Sequence, residues 1–214
     1  YEKPLLKFER LIETYLSFSP RGFKQFAMSM PLWIKDKLFE KDMLFQELKK
    51  IDKNFNKEKI YFSKHHMSHA ASAFYPSPFE KAVILTVDGV GEWNTSTVSL
   101  GDRESIDFKK EINFPHSLGL LYSAFTYYLG FKVNEGEYKV MGLAPYGKPK
   151  YEDLILDNLI TVKNDGSFKI NMKYFDYATG LRMTNKNFDK LFGHNPRKTG
   201  DEILQFHMDI ARSI

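Results

Sequence analysis

The run Ala82-Val-Ile-Leu-Thr-Val-Asp88, followed at once by Gly89, constrains this chain more than any other segment. It is continuously apolar and β-branched, which predicts a central strand buried on both faces, with the Asp-Gly pair marking a turn at its end. Residues 95–100 alternate as a second strand and 106–114 supply a third. The short connections predict an antiparallel meander at the start of an α/β sheet. The chain has 214 residues, 43% of them hydrophobic and 27% charged, which is enough for a globular core and speaks against wholesale disorder. Nineteen Phe and twelve Tyr predict that rings fill that core.

Helical patterns flank this centre. Leu5, Leu6, Phe8, Leu11, Ile12, Tyr15 and Leu16 recur at three-to-four spacing, one apolar face of an amphipathic helix. Ser19-Pro20-Arg21-Gly22 breaks it, a second run passes Phe23, Phe26 and Met30, and Pro31 marks a stop, a kink or a fresh start. A third run carries Leu38, Met43, Leu44, Leu48 and Ile51. Residues 1–56 therefore read as a helical insertion or lid, and 57–214 as the α/β part. Within the latter, Ile60-Tyr-Phe is a short strand candidate, and Ser63 is placed to cap a helix over 64–75. A strongly apolar helix is expected over 118–131, a glycine-rich loop over 134–149, a helix near 150–160, a strand near 167–172, and helices over 184–192 and 200–214. The chain opens at Tyr1 without an initiator Met and closes at Ile214 inside a helical pattern, so it reads as a piece of a longer protein.

Composition excludes several chemistries. With no cysteine there is no disulfide framework, thiolate metal site, Cys nucleophile or iron–sulfur cluster. Lys and Arg total 31 against 27 for Asp and Glu, too mild an excess to argue for nucleic acid as a partner. No segment approaches the ~18–20 apolar residues of a membrane span and no signal-peptide pattern opens the chain, so a cytoplasmic protein is expected.

Three constellations carry chemistry. In Lys64-His65-His66-Met67-Ser68-His69, half of the six histidines fall within five residues. On a helix His65 and His69 lie one turn apart on one face, where two imidazoles can reach a common metal, whereas His66 points about 100° away. The bland alternative is an exposed or capping His cluster. Asp88, at the end of the apolar run, is a candidate third ligand; Gly89 and Gly91 would let backbone N–H groups turn inward on an anion, the alternative being a plain Asp-Gly hairpin. The third stretch is Asn134-Glu-Gly-Glu-Tyr-Lys-Val-Met-Gly-Leu-Ala-Pro-Tyr-Gly147. Its glycines and proline predict a shaped loop rather than a regular helix, in which Glu137 and Lys139 present a carboxylate and an ammonium to one ligand.

Taken together, His65-His-Met-Ser-His-Ala-Ala-Ser-Ala-Phe-Tyr75, Val87-Asp-Gly-Val-Gly-Glu92 and Gly136-Glu-Tyr-Lys-Val-Met-Gly-Leu-Ala-Pro-Tyr-Gly147 resemble the carbamoyltransferase family of nodulation and antibiotic-tailoring enzymes, in the family's order. Glu2-Lys-Pro-Leu-Leu-Lys-Phe-Glu-Arg10 resembles the family's helical region, so the likeness spans essentially the whole chain. The resemblance implies a partial Kae1-like domain of the actin-like ATPase (ribonuclease H-like) class, a mixed sheet with flanking helices, preceded by the helical insertion. It implies that a YrdC-like domain elsewhere in the polypeptide makes carbamoyl-adenylate from carbamoyl phosphate and ATP. The Kae1-like domain then transfers the carbamoyl group to a hydroxyl of a sugar or antibiotic acceptor. By motif match a divalent metal, Fe2+ in the family, would sit on His65, His69 and Asp88. Gly89, Gly91, Glu137, Lys139 and Gly142 would bind ATP or carbamoyl-adenylate, with Lys139 also catalytic and His66 the base for the acceptor hydroxyl. The resemblance leaves a homodimer open.

Two other classes stay in view. One is a nucleotide-binding kinase or hydrolase of the actin-like fold, although Gly91-Glu92-Trp93 replaces the Gly-x-Thr ending of such phosphate hairpins and gives the His cluster no task. The other is a non-enzymatic adaptor docking through the basic helices of 1–52.

Overall fold

The computed structural model describes residues 3–214; Tyr1 and Glu2, which open the helical likeness, lie outside the described residues. Tertiary packing divides the chain into two compact units, residues 1–86 with 91–111, and residues 87–90 with 112–214.

In the first unit, α1 (Pro4–Phe18), α2 (Phe23–Lys35) and α3 (Glu40–Ile51) form where the periodicity places helices. Pro31 lies inside α2 and does not end it. Ring contacts hold α1 to α2: Tyr15 stacks on Phe26 at 4.4 Å between centroids, and Phe8 meets Trp33 at 5.9 Å. None of the three helices contributes a buried residue. The stretch Ile60-Tyr-Phe does not form the expected strand: β propensity alone does not assign a residue to a sheet ladder. The helix after it, α4 (His65–Phe74), is capped at Lys64 without a side-chain bond, and Ser63 Oγ instead pairs with Ser68 Oγ.

The meander forms as β1 (Lys81–Gly91), β2 (Asn94–Asp102) and β3 (Ser105–Asn113) in the order β1-β2-β3. Two-residue connections of this kind admit only antiparallel pairing. The structure corrects two expectations for β1. It continues straight through Asp88-Gly89, and the chain reverses later, where Glu92 adopts a left-handed φ of 56°. Among the described residues it is also an edge strand rather than a central one. Ile84 packs with Ala70 and Phe74 of α4, while Val83, Leu85 and Val87 on the opposite face are 69%, 66% and 50% exposed. A continuous apolar run reports strand propensity, but whether both faces are covered depends on what packs there.

In the second unit, α5 (Leu118–Tyr128) is the central helix, buried at Leu121, Ser123, Ala124, Phe125, Thr126 and Tyr128. Around it pack α6 (Glu137–Leu143), α7 (Glu152–Asn158), the antiparallel pair β4 (Ile160–Val162) and β5 (Phe168–Ile170), α8 (Lys186–Phe192) and α9 (Gln205–Ser213). The ring-rich composition resolves here: Phe125, Tyr128, Phe188 and Phe192 meet with centroids 4.8 to 5.9 Å apart, mostly edge to face. Asp209, 2% exposed, accepts from Lys148 N and Gln205 Nε2, and its second oxygen lies 2.6 Å from Lys150 Nζ. The Lys150 and Gln205 bonds outweigh burial and hold its carboxyl down to about 2. The described residues thus hold a three-stranded and a two-stranded sheet instead of one mixed sheet, with helices on an α/β plan.

Candidate metal centre

Helix α4 starts at His65, so His65 and His69 occupy one face a turn apart, as the spacing predicts. Their Nε2 atoms lie 2.8 Å apart with the rings edge-on, 4.5 Å between centroids. Asp88 on β1 joins them: one ligand atom from each of the three side chains falls within a mutual 4.8 Å. Two imidazoles and a carboxylate form a borderline N2O donor set suited to Fe2+ or Zn2+. The donors present therefore fit a divalent transition metal.

The supports of these ligands explain the local sequence. The chain passes His65 closely at Gly91, where a Cβ would stand 2.2 Å from His65 Cδ2 and 2.7 Å from its Cβ, so a glycine is what lets the imidazole lie over the strand. The Asp88 peptide is fixed by Ser117, the fully buried cap of α5, whose Oγ donates to Asp88 O at 3.0 Å and Gly89 O at 2.7 Å and accepts from Leu120 N. At Gly119 a Cβ would meet Asp88 O at 2.6 Å, so the first turn of α5 rests directly on the β1 backbone. Sequence reasoning missed Ser117 and Gly119. A serine just before an apolar helix is a cap signal that would have found the first, and nothing local marks the second. The Asp88 carboxylate accepts from Gly89 N at 2.6 Å, so this N–H serves the ligand.

His66 has a different place from its neighbours. It is 1% exposed, with Nδ1 2.6 Å from Thr86 Oγ1 and Nε2 2.9 Å from Asn94 O. The carbonyl can only accept, so Nε2 carries the proton; Thr86 then donates to Nδ1 and Thr97 to Thr86 across 2.7 Å. Both ring nitrogens of His66, the residue expected to be the base, are hydrogen-bonded inside the fold, Nδ1 to β1 and Nε2 to β2.

The 134–147 stretch also departs from expectation. It contains α6, because its glycines fall at the helix ends, Gly136 before the first turn and Gly142 in the last, while Val140 is fully buried and anchors the middle. Residues two apart on a helix face different ways, so Glu137 and Lys139 do not converge. Glu137 turns inward and accepts from Ser123 Oγ and Asn134 N at 2.9 Å and Gly136 N at 3.2 Å. Burial pushes its carboxyl up, but these bonds outweigh that and hold it below the usual glutamate range. Lys139 is exposed, with its Nζ 5.9 Å from the Tyr138 ring centroid. Gly142 is exposed too, and a Cβ there would touch nothing within 4 Å, so packing does not demand a glycine.

The family model described as the carbamoyltransferase N-terminus matches residues 1–214, and the chain belongs to that family. It is 56% identical, over all of its length, to the uncharacterised protein sll1178 of Synechocystis sp., covering 35% of that protein. It is 38% identical to nodulation protein NolNO of Sinorhizobium fredii, over 89% of this chain and 25% of the relative. Nodulation protein NolO of Bradyrhizobium diazoefficiens is 31% identical over 70% of this chain and 25% of its own length. The chain thus spans a quarter to about a third of these relatives. Among the described residues no helix is long and apolar enough to cross a membrane.

Proposed function

We propose that this chain is the metal-holding part of an O-carbamoyltransferase, moving a carbamoyl group from carbamoyl-adenylate to a hydroxyl of a sugar or antibiotic acceptor. The observation that carries the reading is the convergence of His65, His69 and Asp88 in a chain of the carbamoyltransferase family. In the transfer, the acceptor oxygen bonds to the carbamoyl carbon, the bond from that carbon to the AMP phosphate oxygen breaks so that AMP leaves with the electron pair, and the hydroxyl proton passes to solvent water. A divalent metal on these three side chains would supply Lewis-acid polarisation. The chain's own residues prepare the place: Gly91 admits the His65 ring, Ser117 and Gly119 fix the Asp88 backbone, and the buried His66 bonds lock the start of α4 onto β1 and β2. Lys139 offers an exposed point charge for a nucleotide phosphate, while Glu137 supports the segment that carries it. The actin-like fold of the complete domain, and activation of carbamoyl phosphate with ATP by a YrdC-like domain, belong to the same proposal.

The test uses the full-length protein. His65→Ala and His69→Ala are each expected to remove most of the bound metal by elemental analysis, and His66→Asn to keep it while lowering the melting temperature. Asp88→Asn keeps the shape of the side chain but removes its charge. It is expected to leave pyrophosphate release from ATP and carbamoyl phosphate intact while slowing transfer by about 10²–10³. Simultaneous loss of both half-reactions in a folded Asp88→Asn protein would overturn the assignment in favour of a kinase-like site.

A further inference from the structure

The three helices of the first unit, α1 to α3, have no part in the transfer as proposed, yet α1 touches the turn that joins β1 to β2. That turn, Glu92-Trp93, is gripped at successive points. The His65 ring lies on Gly91, where an added Cβ would stand 2.7 Å from His65 Cβ. His66 Nε2 donates to Asn94 O at 2.9 Å. Between these two contacts from α4, Glu92 is held by α1. Lys3 N, at the start of that helix, donates to Glu92 Oε1 at 2.9 Å, and Arg10 Nη1 donates to Glu92 O.

Glu92 is 3% exposed and has a φ of 56°, the left-handed form that residues with a side chain rarely adopt. Such a conformation persists where its surroundings over-determine it, and the two bonds from α1 are surroundings of that kind. Glycine would take this φ freely but would offer Lys3 N no carboxylate. Arg10 is half-buried: burial pushes its guanidinium down from the ordinary value, and the Glu92 charge pulls the other way. Its bond to Glu92 O orients the planar 92–93 peptide, and the φ of Glu92 then sets where Gly91 lies. We propose that α1 braces the metal centre and that Arg10 is a positioning residue for His65, holding the turn so that Gly91 gives the imidazole a fixed floor. The inference rests on the reading of His65, His69 and Asp88 as metal ligands, and it gives the helical region a part in that site.

The experiment titrates the metal-free, full-length protein with Zn2+ in a calorimeter. Arg10→Met removes the charge and the donors while keeping much of the side chain's length. It is expected to weaken Zn2+ binding about tenfold, as loss of a group that orients a metal ligand does. Arg10→Lys keeps the charge without the guanidinium fork and should fall between the two, and it carries the test if Arg10→Met does not fold. A role confined to the fold would lower the melting temperature of the metal-free protein and leave the Zn2+ affinity of the folded protein unchanged. Adding Arg10→Met to His65→Ala checks the route: the residual Zn2+ affinity should fall no further, because the ligand through which Arg10 acts is already gone. The proposal is overturned if the folded Arg10 variants bind Zn2+ as tightly as the unsubstituted protein, or if Arg10→Met costs the same tenfold with His65 removed. No Zn2+ binding by the unsubstituted protein would overturn the metal reading and this inference together, whereas normal binding with indifferent Arg10 variants would overturn this inference alone.

Discussion

Helices α1 to α3 and helix α5 look alike as patterns and differ in depth. The first three bury no residue, and α1 leaves Leu5 and Leu16 72% and 65% exposed. By contrast, α5 buries six of its eleven residues and carries the rings that organise the second unit. An apolar stripe announces a helix and the face it will bury, but not how much will cover that face. The two also do different work. The α1 end attaches at the β1–β2 turn, where Lys3 N donates to Glu92 Oε1 and Arg10 to Glu92 O, whereas the cap of α5 holds Asp88 itself.

The largest effect should come from α5. Phe125→Ala, at a fully buried ring in contact with Phe188 and Phe192, is expected to destabilise by ~3–5 kcal/mol in denaturant unfolding. A cost near that of a surface change would remove α5 from the centre of the core. Next comes Asp209, which ties the segment after α6 to α9. Its folded value of about 2 lies below the ordinary 3.8, so its stabilisation is complete above 3.8 and is lost as pH falls toward 2. Asp209→Asn is expected to cost ~1–3 kcal/mol at neutral pH and to flatten the melting-temperature profile in that acid window. An unchanged profile would mean that the Lys150 and Gln205 bonds do not form in solution. Glu137→Gln follows with the same sign, since its carboxyl is also held low: a smaller loss at neutral pH that fades below the ordinary 4.5. Smallest is Leu16→Ser in α1, expected within about 0.5 kcal/mol by the same unfolding measurement. A loss of several times that would show that α1 is buried as deeply as α5, and the contrast would collapse.

What could be read from the sequence was what is local. His65 and His69 declare themselves by helical spacing, and the meander by its short turns, so the paired imidazoles and the order of the three strands were legible. The supports were not, because they join residues far apart in the chain: Ser117 reaches back 29 positions to Asp88, and Asp209 reaches 61 to Lys148. His66 was rightly turned away from its neighbours by the 100° step, but its partners Thr86 and Asn94 lie on strands no helical wheel displays. The 134–147 stretch was misread because glycine content was weighed without position. At helix ends the residue costs little, and one buried valine supplies what a short helix needs.

Gly89 and Gly91 make one strand respond in opposite ways to the same added carbon. At 89 a methyl group would lie 3.8 Å from Leu120 Cδ2, an ordinary touch, and at 91 it would overlap the base of the His65 ring. Position 91 is thus a gauge on the proposed metal centre, set at a residue that donates nothing to it. Alanine there is expected to change metal affinity, and alanine two residues earlier to serve as its blank.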